Sequence, residues 1–273
     1  MAYIGKIFTV AAMAALTISC SGDGDGDGSS SSCGEQGGGS SSSMGGGDKG
    51  NDIKNYRTVI IGTQTWMAEN LNYDVVSSKC NGEDGPVYDY DEENDDIIEK
   101  ILSEAEVQAN CDKYGRLYDW ATAMGFDANC NKSNCTDQIA PLHQGICPNG
   151  WHIPSNDDWD KLFRYVDNVS GSGLYDSPTA GKYLKATSGW NSYNGISGNG
   201  TDQYGFSALP SGFGGLLGGA FYNVGYSGDW WSSSEYKYDY VYAYGRGMSY
   251  QDEYADVGYG GKSHLRGVRC VKD

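Results

Sequence analysis

Histidine and proline are scarce in this chain, with 3 and 6 among 273 residues, and the 19 basic residues are outnumbered by 36 acidic ones. Each shortage excludes something. With only His143, His152 and His264 available, there is little room for imidazole catalysis or a histidine-rich metal centre. A formal charge of −17 repels polyanions, so nucleic acid is not an expected partner. No apolar run reaches the roughly 20 residues that a mature transmembrane helix requires. The serine-hydrolase pattern G-x-S-x-G and the zinc-protease pattern H-E-x-x-H are both missing. VGYGGKS (257–263) mimics a phosphate-cradling loop, but the first required glycine falls at Asp256. The DGDGDG run fails as a calcium loop, because position twelve counted from Asp23 is Gly34 and Glu35 comes one residue late. Paired carboxylates give no signal, since among so many acids any spacing can be found.

What is plentiful points one way. The 41 glycines, 22 tyrosines and 7 tryptophans suit turn-rich, aromatic β structure rather than a helical bundle. The first residues, MAYIGKIFTVAAMAALTISC, have the plan of a signal peptide over 1–19. Lys6 supplies the positive end, and Ile7 to Ile18 supplies an apolar core too short to span a bilayer. The LTISC end resembles the lipobox of bacterial lipoproteins, with Thr17 where leucine is more usual. This resemblance implies that Cys20 carries fatty acyl chains (palmitate among them) and anchors the protein to a membrane. Residues 20–55 form a Gly/Ser/Asp tether that buries nothing, with a span of roughly 30 Å over its disordered stretch. An acidic stretch directly after the lipid cysteine resembles the export signal of lipoproteins bound for the outer cell surface. Outer membrane, facing outward, is therefore the expected location.

The remaining residues, 56–273, are expected to fold as one domain. It holds six cysteines, Cys80, Cys111, Cys130, Cys135, Cys147 and Cys270, while Cys33 lies in the tether and is free to pair between molecules. An even number in an exported chain reads as three disulfides, whose connectivity spacing alone does not fix. The preferred pairs are Cys80–Cys111, Cys130–Cys135 and Cys147–Cys270. A zinc site is the rival, but CNKSNC has no second matching pair or nearby histidine. No metal or cofactor is expected.

Along the domain, TVII (58–61) reads as a strand followed by a turn at Gly62. Residues 81–104 are acidic and read as a solvated insertion. In YGRLYDWATAM (114–124), Leu117, Trp120, Ala121 and Met124 fall on one helical stripe. Pro154-Ser155 opens a second helix, with Ser155 as cap, Asp158 at the capping-box position and a stripe of Trp159, Leu162, Phe163 and Val166. Residues 171–219 read as a glycine-rich loop. Short strands follow near Phe221–Tyr226, Trp230–Ser233, Tyr238–Met248 and His264–Val271.

These segments also look familiar together. IGTQTWMAENLNY, YGRLYDWATAM, CPNGWHIPSNDDWDKL, GTDQYGFSALPSG, WWSSSEY and LRGVRCVKD resemble, in order, the Fibrobacter succinogenes major paralogous domain. The resemblance implies an α+β, C-type-lectin-like fold: two helices packed on a short-stranded antiparallel sheet with long Gly-rich loops, stapled by disulfides. It implies no established reaction. The calcium triplets of sugar-binding C-type lectins are missing, and the nearest piece is Trp190-Asn191-Ser192. The copper-binding cysteine pair of formylglycine-generating relatives is not matched either, since only Cys270 aligns and it reads as structural. His152, beside Trp151 at a helix entry, reads as structural too.

One stretch raises a question of function. In EYKYDYVYAY, tyrosine takes every second position from Tyr236 through Tyr238, Tyr240 and Tyr242 to Tyr244. On a strand that alternation puts five phenols on one face and Lys237, Asp239, Val241 and Ala243 on the other. The tyrosine face is expected to point inward, with phenol oxygens reaching loop backbone. The alternative is a stacking platform for polysaccharide, built from these rings with Trp190, Tyr204 and one of Trp230 or Trp231. Trp66, Trp120 and Trp159 are expected in the core. The expected role is non-catalytic binding of a glycan or a surface protein. The rivals are a polysaccharide-active enzyme using paired carboxylates, and a structural coat protein.

Overall fold

The computed structural model describes residues 55–91 and 96–273. The signal segment, Cys20, Cys33 and nearly all of the tether lie outside the described residues. Thr58–Ile61 (β1) and Gln64–Met67 (β2) pair antiparallel across a two-residue turn. Gly62 stands there at φ 62°, and an added Cβ would run into the Tyr165 ring. The acidic segment after it is not an irregular insertion. Val87–Asp91 (β3) and Asp96–Lys100 (β4) form a hairpin. Glu104–Tyr114 (α1) follows, opened by a Ser103/Glu106 capping box.

The next helix, Trp120–Met124 (α2), is shorter than its stripe suggests. Gly115 at φ 75° ends α1, Leu117 is drawn into a bridge with Lys79, and only at Asp119 does a side chain cap a new helix. Trp151–His152 (β5) leads into Asn156–Asp167 (α3), whose cap and box are the expected Ser155 and Asp158. Its buried stripe is likewise the expected one, Trp159, Leu162, Phe163 and Val166. Ala180–Leu184 (α4) interrupts the glycine-rich region. Ser192–Tyr193 (β6) and Ile196–Ser197 (β7) make a small hairpin. Phe213–Gly214 (β8) pairs with Phe221–Tyr222 (β9), and β9 runs parallel to β3. Ser227–Glu235 (β10), Tyr242–Ser249 (β11) and Asp256–Gly261 (β12) form an antiparallel sheet, and Val271–Lys272 (β13) closes the chain. β13 lies between β2 and β5 in the order β1-β2-β13-β5, so the two ends of the domain meet in one sheet.

Among the described residues this is a mixed α+β architecture with four α-helices and several small sheets. Among these residues its core has three clusters: a small one of Val87, Leu117, Phe221 and Leu265, and two larger ones, one on each side of β10. Adjacent residues of a strand point to opposite faces, and here both faces are covered. Trp231 enters the cluster of Met67, Tyr118, Trp120 and Trp151, while Trp230 enters that of Trp66, Trp159, Phe206 and Met248. Each indole N–H donates to a partner: Trp230 to Asn70 Oδ1 at 2.8 Å and Trp231 to the Tyr118 carbonyl at 2.7 Å.

Among the described residues the disulfides are Cys80–Cys111, Cys130–Cys135 and Cys147–Cys270, the preferred pairs, with Cα separations of 5.1, 5.7 and 6.0 Å. The last fixes the segment before β5 to the residue before β13. Buried charge completes the frame. Arg246 pairs with Asp160 at 2.8 Å, both within the core. Arg269 lies over the Phe206 ring and donates to Asn70 Oδ1 and the Phe206 carbonyl. Among the described residues no helix is long and apolar enough to cross a membrane.

Candidate functional site: a tyrosine-rimmed cleft

The tyrosine alternation does not make one continuous strand: Tyr242 and Tyr244 open β11, but Tyr236, Tyr238 and Tyr240 fall outside it. β10 ends at Glu235 and β11 begins at Tyr242, so residues 236–241 are the turn between them. Asp239 fixes the turn: its N–H donates to the Tyr236 carbonyl, its own carbonyl accepts from Tyr242 N, and its carboxylate accepts from Val241 N. A turn at a sheet's end has no inner face, which overturns the expected inward tyrosine face for Tyr238 and Tyr240, while Tyr236 and Tyr242 are half-buried. Only Tyr244, inside β11, is buried. Tyr238 is 73% exposed and Tyr240 54%.

Tyr236 stacks on Tyr259 of β12, with ring centroids 4.2 Å apart and planes 15° apart. Tyr244 and Tyr242 meet Tyr236 edge-on at 5.3 and 6.5 Å. These contacts brace the turn; Tyr238 meets Tyr236 edge-on at 5.4 Å, and Tyr238, Tyr240 and Tyr259 stay exposed. Lys237 lies over the Tyr238 ring at 4.8 Å.

Tyr236, Tyr238 and Tyr240 rim a cleft of about 770 Å³. Its other walls are the loop Ile139–His143 and the start of α3 with Asp157, Asp158 and Lys161. Leu142 is exposed on the rim. His143 anchors its loop through Nε2 to the Met124 carbonyl at 2.7 Å and Nδ1 to Ala140 N at 3.3 Å. The cleft therefore combines open aromatic faces with exposed polar groups: Asp157, Lys161, Lys237 and Asp239.

Its deeper carboxylates are already engaged. Asp158 accepts from Ser155 N and Oγ at 3.0 and 2.6 Å and lies 3.3 Å from His152 Nε2. Burial alone would raise its pKa, but His152 and the Ser155 donors outweigh that and hold it at about 2. His152 bridges two acids, since its Nδ1 meets Asp273 at 2.8 Å. Burial opposes its protonation, yet the two carboxylates leave its pKa raised.

Glu235, at the base of the turn, pairs with the buried Lys262 and also accepts from Cys135 N and Thr136 Oγ1. The Lys262 ammonium donates further to the Cys130 and Ser133 carbonyls and sits 4.3 Å above the Trp120 ring. Burial pulls its pKa down against the pull of Glu235. This network ties the tyrosine turn to the Cys130–Cys135 loop. Among the described residues no group of three His, Cys, Asp or Glu is placed to hold a metal ion.

The aromatic candidates read from sequence lie elsewhere. Trp230 and Trp231 are fully buried, and Trp190 is buried with its N–H on the Ala208 carbonyl at 3.0 Å. A stacking surface has no open face on any of them, so that platform is corrected. Tyr204 is half-buried against the Trp66–Trp159 cluster and meets the Tyr165 ring at 6.0 Å. None of the four lines the cleft. The tyrosines that do, Tyr236, Tyr238 and Tyr240, are visible in the sequence as an alternation, which places them on a strand rather than in the turn they form.

The Fibrobacter succinogenes major domain matches residues 59–272. The chain belongs to that family. No curated protein and no solved structure matches it.

Proposed function

We propose that this is a cell-surface lipoprotein, acylated at Cys20 and tethered through residues 21–55, whose C-type-lectin-like domain binds glycan in the tyrosine-rimmed cleft without chemistry. The observation that carries the reading is the pair of exposed rings, Tyr238 and Tyr240, held on a braced turn beside hydrogen-bonding groups. Sugar rings pack their axial hydrogens on aromatic faces while their hydroxyls need polar partners, and the cleft offers both.

Engagement of the deep carboxylates argues against the enzyme reading. A glycosidase acid needs a raised pKa and a proton to give. Asp158 is shifted the other way, and Glu235 is committed to Lys262. Asp256 does reach about 6, through burial and the nearby Asp252 and Asp176, but it stands on β12 and does not line the cleft.

Hydrogen exchange with and without a bound polysaccharide tests the reading. Protection concentrated in 236–241 and 139–143 is the expected result. Protection elsewhere, with these two segments unchanged, would move the site.

A further inference from the structure

β4 is the terminal strand of its sheet, in the order β4-β3-β9-β8. All five of its residues, Asp96 to Lys100, are exposed. Alternation puts Asp96, Ile98 and Lys100 on one face and Ile97 and Glu99 on the other. Ile97 and Ile98 are 55% and 49% exposed, so neither face is covered.

A terminal strand presents unpaired N–H and C=O groups, which proteins usually blunt with proline, a bulge or a central charge. β4 has no proline and no bulge; its charges, Asp96, Glu99 and Lys100, flank the two isoleucines, and the Asp96 carboxylate accepts from Ile97 N at 2.8 Å, a bond that an added strand would have to replace. Its register with β3 is unbroken over five pairs, and its centre is two isoleucines.

We propose that β4 is a seam for a second copy of this chain, added antiparallel about a two-fold axis at Ile98. The order of charges supports this occupant. Antiparallel about Ile98, D-I-I-E-K complements itself: Asp96 faces Lys100 of the second copy twice, Ile98 faces Ile98, and Ile97 faces Glu99. No like charges oppose one another. A parallel pairing would set Asp96 against Asp96 and Glu99 against Glu99.

Lys100 is held at the surface, 3.0 Å from Glu106, where its ammonium can bridge Glu106 and the incoming aspartate. Glu99 accepts from Tyr88 at 3.0 Å. The contact is isologous, so it closes at two copies. With five residues from each copy, the association is weak and reversible. It does not depend on the glycan reading.

Ile98→Cys in the full chain is the test. Opposed residues of an antiparallel pair lie within disulfide reach. Val76→Cys, at a position 91% exposed, is the control for random collision. Under mild oxidation, Ile98→Cys is expected to dimerise about tenfold faster than the control, through a 98–98 link found by peptide mapping. Adding Asp96→Lys should slow it, and adding Lys100→Asp to that variant should restore the rate. Dimerisation of Ile98→Cys no faster than that of Val76→Cys, or no rescue by the charge exchange, would overturn the proposal.

Discussion

Glu235 and Lys262 offer the sharpest perturbation of the frame beneath the cleft. The Lys262 side chain has no solvent exposure and that of Glu235 only 5%, so Glu235→Gln leaves an ammonium buried against two carbonyls and an indole with no counter-charge. Breaking a buried pair from one side costs about 3–5 kcal/mol. In a domain of this size each kcal/mol moves the midpoint by roughly 2–4 °C. Glu235→Gln should therefore lower Tm by about 10 °C. Lys262→Met alone should be comparably harmful, because it strands the carboxylate. The double variant, Glu235→Gln with Lys262→Met, should recover most of the loss, since it removes both charges. Urea titration with disulfides intact gives all three values, and an unchanged m-value would show that the same unfolding is being compared. A cost below about 1 kcal/mol for Glu235→Gln, or a double variant as unstable as the two losses summed, would refute the reasoning.

Three further outcomes follow from the same geometry. Trp230→Ala and Tyr238→Ala should differ sharply, the first costing about 3–5 kcal/mol and the second within about 0.5 kcal/mol, as measured by denaturation. Removing the disulfides one at a time should rank by enclosed loop. Loops of 123, 31 and 5 residues give about 5, 4 and 2 kcal/mol for Cys147–Cys270, Cys80–Cys111 and Cys130–Cys135 by the chain-entropy relation. The His152 contacts predict a stability window in pH. The raised histidine contributes fully below its ordinary pKa near 6.5, and that contribution fades as pH climbs through the folded value. Asp158 contributes above roughly pH 4, and its contribution is lost as pH falls toward 2. His264, whose pKa burial lowers, acts in the opposite sense near neutrality. The readout is therefore the difference between the protein and His152→Gln, which should shrink from pH 6 to pH 9.

Parts of this structure were legible in sequence because their causes are local. α3 announces itself through Ser155, Asp158 and a stripe of large apolar residues, and an even cysteine count points to three disulfides, although the pairing itself, such as Cys147–Cys270 across 123 residues, is set by the fold. Other parts depend on distant chain. β12 contains three glycines in six residues and becomes a strand only by pairing with β11. α1 has no apolar stripe, since only Cys111 and Tyr114 are buried along it, although its Ser103/Glu106 box was there to be read. Trp230 and Trp231 share one strand, and nothing local says that both of its faces are covered. The tyrosine turn misled for a subtler reason. Strict alternation favours a strand, and a single Asp239 bonding to its own backbone neighbours outweighs it.

The central claim is that Tyr238 and Tyr240, rather than the tryptophans, meet a glycan. A binding panel of soluble and insoluble polysaccharides against the intact protein tests it most directly, beside Tyr238→Ala, Tyr240→Ala and their double variant, each confirmed as folded. The account predicts saturable binding to at least one polysaccharide, weakened about tenfold by either change and abolished by both. Saturable binding that survives the double variant, or no binding across the panel, would contradict it.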